Sequence, residues 1–274
     1  MEAKANKIQK IHLTEEKATL FITLYAKALD YRSKNPILSD KKADEILNMI
    51  DYDFEKFKSS SSDNLTVVRA KQLDEWVNAF LKTNPNAVVL YLGCGLDTRV
   101  TRINPSQSVS WFDVDYPEVI ELRKNFYSDQ NNYIMLGSSV TDADWLVEIP
   151  KDRPVSIIAE GLLEYLTEDE VKTLLNRLTN YFSHGQISFD VMNSFAIKAG
   201  KASLKDTTGA EHKWAVDDLR EVDKLDTKLK RNIDLPVSRS KYISNLPIQF
   251  RLLFRIMSFI PPFKTMLVLL QYQF

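Results

Sequence analysis

The sequence predicts an α/β protein built on a doubly wound parallel sheet, with an N-terminal helical cap. Three observations carry this expectation. From Asn86 onward, short apolar runs alternate with helical patterns, and alternating units of this kind form parallel sheets through right-handed crossovers. The run Val88-Val89-Leu90-Tyr91-Leu92 is apolar at every position, as a strand buried on both faces must be, and it ends at Gly93-Cys94-Gly95. A second apolar run, Trp111-Phe112-Asp113-Val114-Asp115, ends in an acid twenty positions after Gly95.

The elements follow in chain order. Glu15 to Tyr31 reads as an amphipathic helix capped by Thr14, with Leu20, Leu24, Ala28 and Tyr31 on one stripe. Lys41 to Ile50 is a second, shorter helix, and Ser59 to Asp63 is a polar loop. Leu65 to Leu81 is a third helix, ending before Pro85. Strands are expected over Ala87–Leu92, Val109–Val114, Tyr133–Leu136, Val155–Ala159 and Gln186–Asp190. Between the last two, Thr167-Glu168-Asp169-Glu170 is a capping box that opens a helix to about Phe182. The apolar stretch from Leu246 is broken by Arg251, Arg255, Pro261, Pro262 and Lys264, so it reads as a core helix and a final strand over Met266–Phe274. A spanning helix needs ~20 apolar residues, and this stretch does not supply them. The expected organisation is a cap over 1–84 and a ligand-binding core over 85–274, with a substrate-wall insertion around 194–240, all in one compact unit.

Composition narrows the function classes. The formal charge is −1 and basic residues are interspersed with acids, so no phosphate-backbone footprint is legible and a nucleic-acid partner is not expected. Met1 to Ile11 lacks the apolar core of a signal peptide, and the single cysteine, Cys94, fits a reducing compartment. A cytoplasmic protein without a membrane partner is the expectation.

The glycine turn indicates the ligand. Only seven glycines occur in 274 residues, against a usual ~7%, and two of them lie one residue apart at a strand end. Glycines there let backbone approach a nucleoside, and Asp115 can accept hydrogen bonds from a ribose diol. A dinucleotide loop would carry a third glycine and leave its helix start free for phosphate. Here Val100 follows Arg99, and Asp97 stands where the helix should begin. A carboxylate repels phosphate but faces a cation well, which favours S-adenosylmethionine with its ammonium and sulfonium. An ordinary turn capped by Asp97 and a dinucleotide site stay open as alternatives on these residues alone.

An ordered set of motifs spans most of the chain: Leu24-Tyr25-Ala26-Lys27-Ala28-Leu29, Val68-Arg69-Ala70, Leu92 to Arg99, Asp113 to Val119, Ser138 to Asp142, Ala159-Glu160-Gly161-Leu162-Leu163-Glu164-Tyr165-Leu166 and His212 to Asp218. In these motifs the sequence resembles the class I methyltransferases of the leucine carboxyl methyltransferase family, and more closely its bacterial members grouped with tetracenomycin-type polyketide O-methyltransferases. The resemblance implies a Rossmann-like sheet and an O-methyltransferase acting on a small-molecule carboxylate or hydroxyl. A protein carboxyl methyltransferase, a dinucleotide oxidoreductase and a non-catalytic nucleoside-binding protein are the other readings. It implies a cofactor site at Gly93, Gly95, Asp97 and Asp115, with Ser139 and Val140 at the adenine. The family has an Asp-Leu pair at that last position, a departure that weakens the adenine contact. It further implies Glu160 near the methionine part of the cofactor and Arg69 on its carboxylate, where a lone acid and a lone arginine would otherwise read as surface residues. Tyr25, Tyr165 and His212 are weaker candidates for the substrate wall. Of the three histidines, His12 is terminal and His184 sits at the wrong end of its strand, so no catalytic base is named, which favours a carboxylate acceptor.

Overall fold

The structure is a computed structural model that describes residues 13, 15–57 and 63–274. The expected cap Thr14, His12 and Ser59 to Ser62 lie outside the described residues. Five strands run parallel: β1 (Val88–Leu92), β2 (Ser110–Asp115), β3 (Tyr133–Gly137), β4 (Val155–Ala159) and β5 (Gly185–Met192). Two more follow, β6 (Lys230–Pro236) and β7 (Leu267–Gln273), with β7 antiparallel to both β5 and β6. The order across the sheet is β3-β2-β1-β4-β5-β7-β6. The winding direction reverses between β1 and β4, and such a switch point opens a crevice beyond the strands' carboxyl ends.

Three helices precede the sheet, α1 (Leu20–Arg32), α2 (Lys41–Met49) and α3 (Asp63–Thr83). A 3-10 turn, Glu15–Thr19, leads into α1, so the regular helix starts later than the periodicity implies. Within the sheet region α4 (Arg99–Ile103) follows β1, α5 (Pro117–Arg123) follows β2 and α6 (Glu168–Tyr181) precedes β5. Then α7 (Ser194–Thr208) and α8 (Leu219–Val222) lie between β5 and β6, and α9 (Ile248–Met257) and α10 (Pro261–Lys264) between β6 and β7. Among the described residues, no helix is long and apolar enough to cross a membrane.

Burial explains the layering. Odd and even positions of β1 face opposite ways: Val88, Leu90 and Leu92 join a cluster with Val171, Leu174 and Leu178 of α6. Val89 and Tyr91 pack with Leu73, Trp76 and Val77 of α3 on the other face. Each such aliphatic side chain, fully buried, contributes ~1.5–3 kcal/mol. The helix α3, expected in the cap, is therefore a layer of the sheet, because its apolar stripe matches the inner face of β1 and β2. A separate cluster, with Phe21 and Leu24 of α1 and Ala43 and Ile46 of α2, sits on Leu96, Val119 and Leu122. These two helices cover the carboxyl ends of β1 and β2.

Strand β6 was not expected, and it falls inside the stretch 194–240 read as a substrate wall. Its sequence, Lys230 to Pro236, alternates exposed and half-buried residues at the sheet edge and is bulged between Arg231 and Ile233. Edge strands of this polar kind carry little apolar signal. The capping box does form: Glu170 N donates to Thr167 Oγ1 (3.3 Å), and Thr167 N donates to Glu170 Oε2 (2.7 Å). Thr167→Ala should lower stability by about 1 kcal/mol, read as a shift of the urea midpoint with an unchanged slope. No shift at all would show that the box is idle.

One buried ion pair fixes α5 to the sheet. Asp113 on β2 and Arg123 at the end of α5 are both fully buried. Asp113 Oδ2 accepts from Arg123 Nη2 (2.6 Å) and from the Tyr133 hydroxyl (2.7 Å), and Oδ1 accepts from Trp111 Nε1 (2.8 Å). Arg123 Nη1 donates onward to the carbonyls of Gly95 (3.1 Å) and Asp97 (2.6 Å), so this pair also shapes the glycine turn.

Candidate cofactor and active site

The turn after β1 is held by two glycines in the left-handed region, Gly93 at φ +63° and Gly95 at φ +52°. A Cβ on Gly93 would lie 2.9 Å from Leu162 Cδ1, so the turn after β1 and the turn after β4 touch only because glycine is there. Gly95 N donates to Asp115 Oδ2 and Tyr116 N to Oδ1, each at 2.7 Å. These two amides orient the carboxylate at the end of β2 and leave further lone pairs on both oxygens. Burial pushes the Asp115 carboxyl up to about 6, outweighing the two amide donors that lower it.

A cavity of about 100 Å³ opens beyond the ends of β1 and β4. Gly93, Gly95, Asp97, Asp115, Ser139, Val140, Glu160 and Arg69, all named from the sequence, border it together. So does Tyr165, and the Glu15–Thr19 turn closes one side through Glu16, Lys17 and Thr19. Ser139 Oγ shares a hydrogen bond with Thr141 Oγ1 (2.8 Å), and Val140 is buried beside it.

Under this cavity lies a joined ionic network. Arg69 reaches from α3 to Glu160 (Nε to Oε1, 3.2 Å) and to Asp190 on β5 (Nη1 to Oδ2, 2.7 Å). Arg99 pairs with Glu160, Asp74 (2.7 Å) and Asp97 (3.4 Å), and Lys27 of α1 pairs with Asp97 (3.0 Å) and Glu160 (3.8 Å). Arg102 completes it with Asp40, Asp74 and Asp97, each at 2.7 Å. Four cations, Lys27, Arg69, Arg99 and Arg102, thus meet five carboxylates, Asp40, Asp74, Asp97, Glu160 and Asp190.

The network removes two alternative readings. Asp97 is not a helix cap: the cap position belongs to Thr98, whose side chain makes no cap hydrogen bond. Burial alone would raise the Asp97 carboxyl, but Arg102, Lys27 and Arg99 outweigh it and hold it well below the usual range. Glu160 is no solvated strand-end acid. It is buried, and Lys27, Arg99 and Arg69 overcome that burial to bring it down to about 2.

Tyr25 lies outside the cavity lining. It is buried against Phe54 (ring centroids 5.9 Å) and Phe57 (6.3 Å), because the α1 stripe turns it toward α2 and the Phe54–Phe57 turn. His212 does not border the cavity either. Its ring packs on Tyr165 at 5.1 Å, and burial lowers its pKa from the usual histidine value.

Several residues here were not named from the sequence. Lys27 lies within a quoted motif, but its partners are distant in the chain. Gly161, at φ +63°, has its Cα so close to Arg69 that a Cβ would sit 3.3 Å from Nη2. Asp190, which also accepts from Gly161 N (2.8 Å), is on β5, and applying the strand-end rule to that strand would have found it. Glu164 is buried, and Oε2 has no hydrogen-bond partner among the described residues. Burial, and then Asp190, push its carboxyl up to about 8.

Comparison with known proteins agrees with this architecture. The leucine carboxyl methyltransferase family model matches residues 15–179. The tetracenomycin polyketide synthesis O-methyltransferase of Streptomyces glaucescens is 41% identical over 217 residues, covering 78% of this chain and 80% of that protein. An S-adenosyl-L-methionine-dependent methyltransferase of Gibberella zeae is 34% identical over 237 residues, with the same coverage of 78% and 80%. Among solved structures, a DUF574 family protein from Streptomyces avermitilis superposes with a TM-score of 0.59 at 13% identity, covering 85% of this chain and 96% of that one. At that identity the likeness speaks to the fold.

Proposed function

This chain belongs to the leucine carboxyl methyltransferase family, and from that premise we propose that it methylates a carboxylate or hydroxyl oxygen of a small molecule. That it is an S-adenosylmethionine-dependent methyltransferase follows from its relatives; the acceptor and the residue roles are our reading. When bound, the cofactor supplies an electrophilic methyl group to an acceptor oxygen approaching in line. The chain's own task is alignment, desolvation and charge matching.

The residues present fit this cofactor. Asp115, aimed by Gly95 N and Tyr116 N, supports a ribose-diol role, since its oxygens retain acceptor capacity toward the cavity. Arg69 would meet the cofactor's carboxylate, with Glu160 and Asp190 fixing its guanidinium from behind. Ser139 and Val140 would flank the adenine. The observation that carries the reading is the ionic network, whose carboxylates outnumber its cations by one. A net-cationic ligand matches that surplus, and a pyrophosphate would not.

Calorimetry tests this directly. S-adenosylhomocysteine and S-adenosylmethionine should bind, and NAD should not; NAD binding more tightly than either would overturn it.

The acceptor reading rests on which bases are at hand. No histidine borders the cavity among the described residues, and a carboxylate needs no proton removed. His212→Ala should therefore leave turnover within about threefold, whereas loss of a general base costs ~10²–10⁴-fold. A loss of that size would make His212 the base and the acceptor a hydroxyl. Label from radioactive cofactor should enter a metabolite fraction and be released by mild base, as methyl esters are.

A further inference from the structure

The strongest unexplained surface is the helix α9. Ile248 (60% exposed), Leu252 (53%) and Ile256 (62%) recur at every fourth position and form one outward stripe. Leu253 lies beside it, and Phe259 (77%) and Ile260 extend it past the helix end. Inward, Phe254 is buried, and Phe250 and Met257 pack on the sheet layer, so this outward face is surplus to folding. Large contiguous apolar exposure of this kind marks an interaction surface.

Charge selects the partner. From residue 235 to 274 the chain carries Arg239, Lys241, Arg251, Arg255 and Lys264 and not one acid, although the whole protein has a net charge of −1. Arg251 and Arg255 are exposed along one edge of the apolar stripe, and among the described residues neither enters an ion pair. An apolar stripe edged by unpaired cations is the pattern of a helix lying in the headgroup region of an anionic bilayer. Isologous pairing of two copies would instead set these arginines against each other with no acid in the segment to relieve them.

We propose that α9 and the following turn to Ile260 dock this enzyme on anionic lipid surfaces, with the apolar stripe in the interface and Arg251 and Arg255 on the headgroups. The apolar surface continues toward the site. Phe263 of α10 meets half-exposed Phe195 of α7 edge-on at 4.8 Å. Next, α7 packs beside the Glu15–Thr19 turn that borders the cavity. An apolar acceptor dissolved in the bilayer would thus be concentrated on the side from which the cavity is bordered.

The test is flotation of the full-length protein with vesicles of phosphatidylcholine alone or with ~30% phosphatidylglycerol, where two headgroup-level arginines should raise binding about thirtyfold. Binding should fall in ~1 M salt, at which the screening length is ~3 Å. The double variant Ile256→Glu/Phe259→Glu, at exposed positions, should keep its circular dichroism and its affinity for S-adenosylhomocysteine while losing flotation. Arg251→Glu/Arg255→Glu should erase the preference for the anionic vesicles. The proposal is overturned if wild-type protein floats with neither vesicle, or if the Ile256/Phe259 variant floats as well as wild type. A lipid-free dimer in sedimentation, abolished by that variant, would assign the face to a second copy and overturn it equally. Because flotation needs no methyl transfer, a failure here leaves the reading of the cofactor site untouched.

Discussion

Asp113→Ala is expected to lower the global stability of this protein by about 3–5 kcal/mol, the cost of breaking a buried ion pair by removing one partner. The carboxylate accepts from Arg123, Tyr133 and Trp111, all at 2.6–2.8 Å, and both ends of the pair are fully buried. Its loss leaves the Arg123 guanidinium in the interior with two carbonyls and the Tyr133 hydroxyl as its remaining oxygen acceptors and strips two further donors of their acceptor. For a chain of this size such a loss lowers the melting temperature by about 10 °C. Urea denaturation and calorimetric melting read the effect. A loss below ~1 kcal/mol would mean that water reaches Arg123 and that the pair holds α5 only weakly.

Asp115→Ala, two residues along the same strand, should do the opposite: the fold stays and the ligand goes. Each charge-assisted hydrogen bond to a ribose hydroxyl is worth ~1.5–3 kcal/mol, so the dissociation constant for S-adenosylhomocysteine should rise at least about tenfold, and more if both bonds form. The pH dependence gives a second reading. Because burial holds this carboxyl at about 6, cofactor affinity should be full above that pH and fall as pH drops through it. Stability runs the other way. An acid whose folded pKa is raised favours the folded state at low pH and loses that advantage as pH rises from about 4 toward 6. Removing Asp115 therefore costs little stability at pH 7. An affinity unchanged in the variant, or flat between pH 5 and 8 in wild type, would assign the ribose elsewhere.

The contrast between these two acids shows how much the sequence discloses. Asp115 was legible because it ends a strand after a glycine turn, a relation confined to a single βαβ unit. Asp113 looks equivalent in sequence and lies on the same side of β2, yet it sits before the strand end, where α5 covers it and Arg123 claims it. The five parallel strands and the Thr167 capping box were legible for the same local reason. For Asp97 the alternative of a helix cap stays open in the sequence because the groups that claim it, Lys27, Arg99 and Arg102, converge from α1 and α4. Lys27 is seventy positions away, and no periodicity encodes that meeting. Tyr25 shared a motif with Lys27 but points to the aromatic cluster, since neighbours on a helix face different ways. The edge strand β6 was missed because an exposed, bulged edge has no apolar run to announce it. Arg69 was reached through family resemblance, and only packing shows why it sits where it does: α3 lies on the sheet and brings its guanidinium over Glu160 and Asp190.

The surplus carboxylate in the ionic network bears on turnover as well as recognition. S-adenosylmethionine is a net monocation, and methyl transfer turns its sulfonium into a neutral thioether, leaving a zwitterion. On the cofactor reading proposed above, a network one negative charge in excess would grip the reactant by a force the spent cofactor no longer feels. Loading and unloading would then be sorted by charge rather than by shape, and added salt should narrow the gap between the two affinities less than it would at an exposed site, because most of the network is buried.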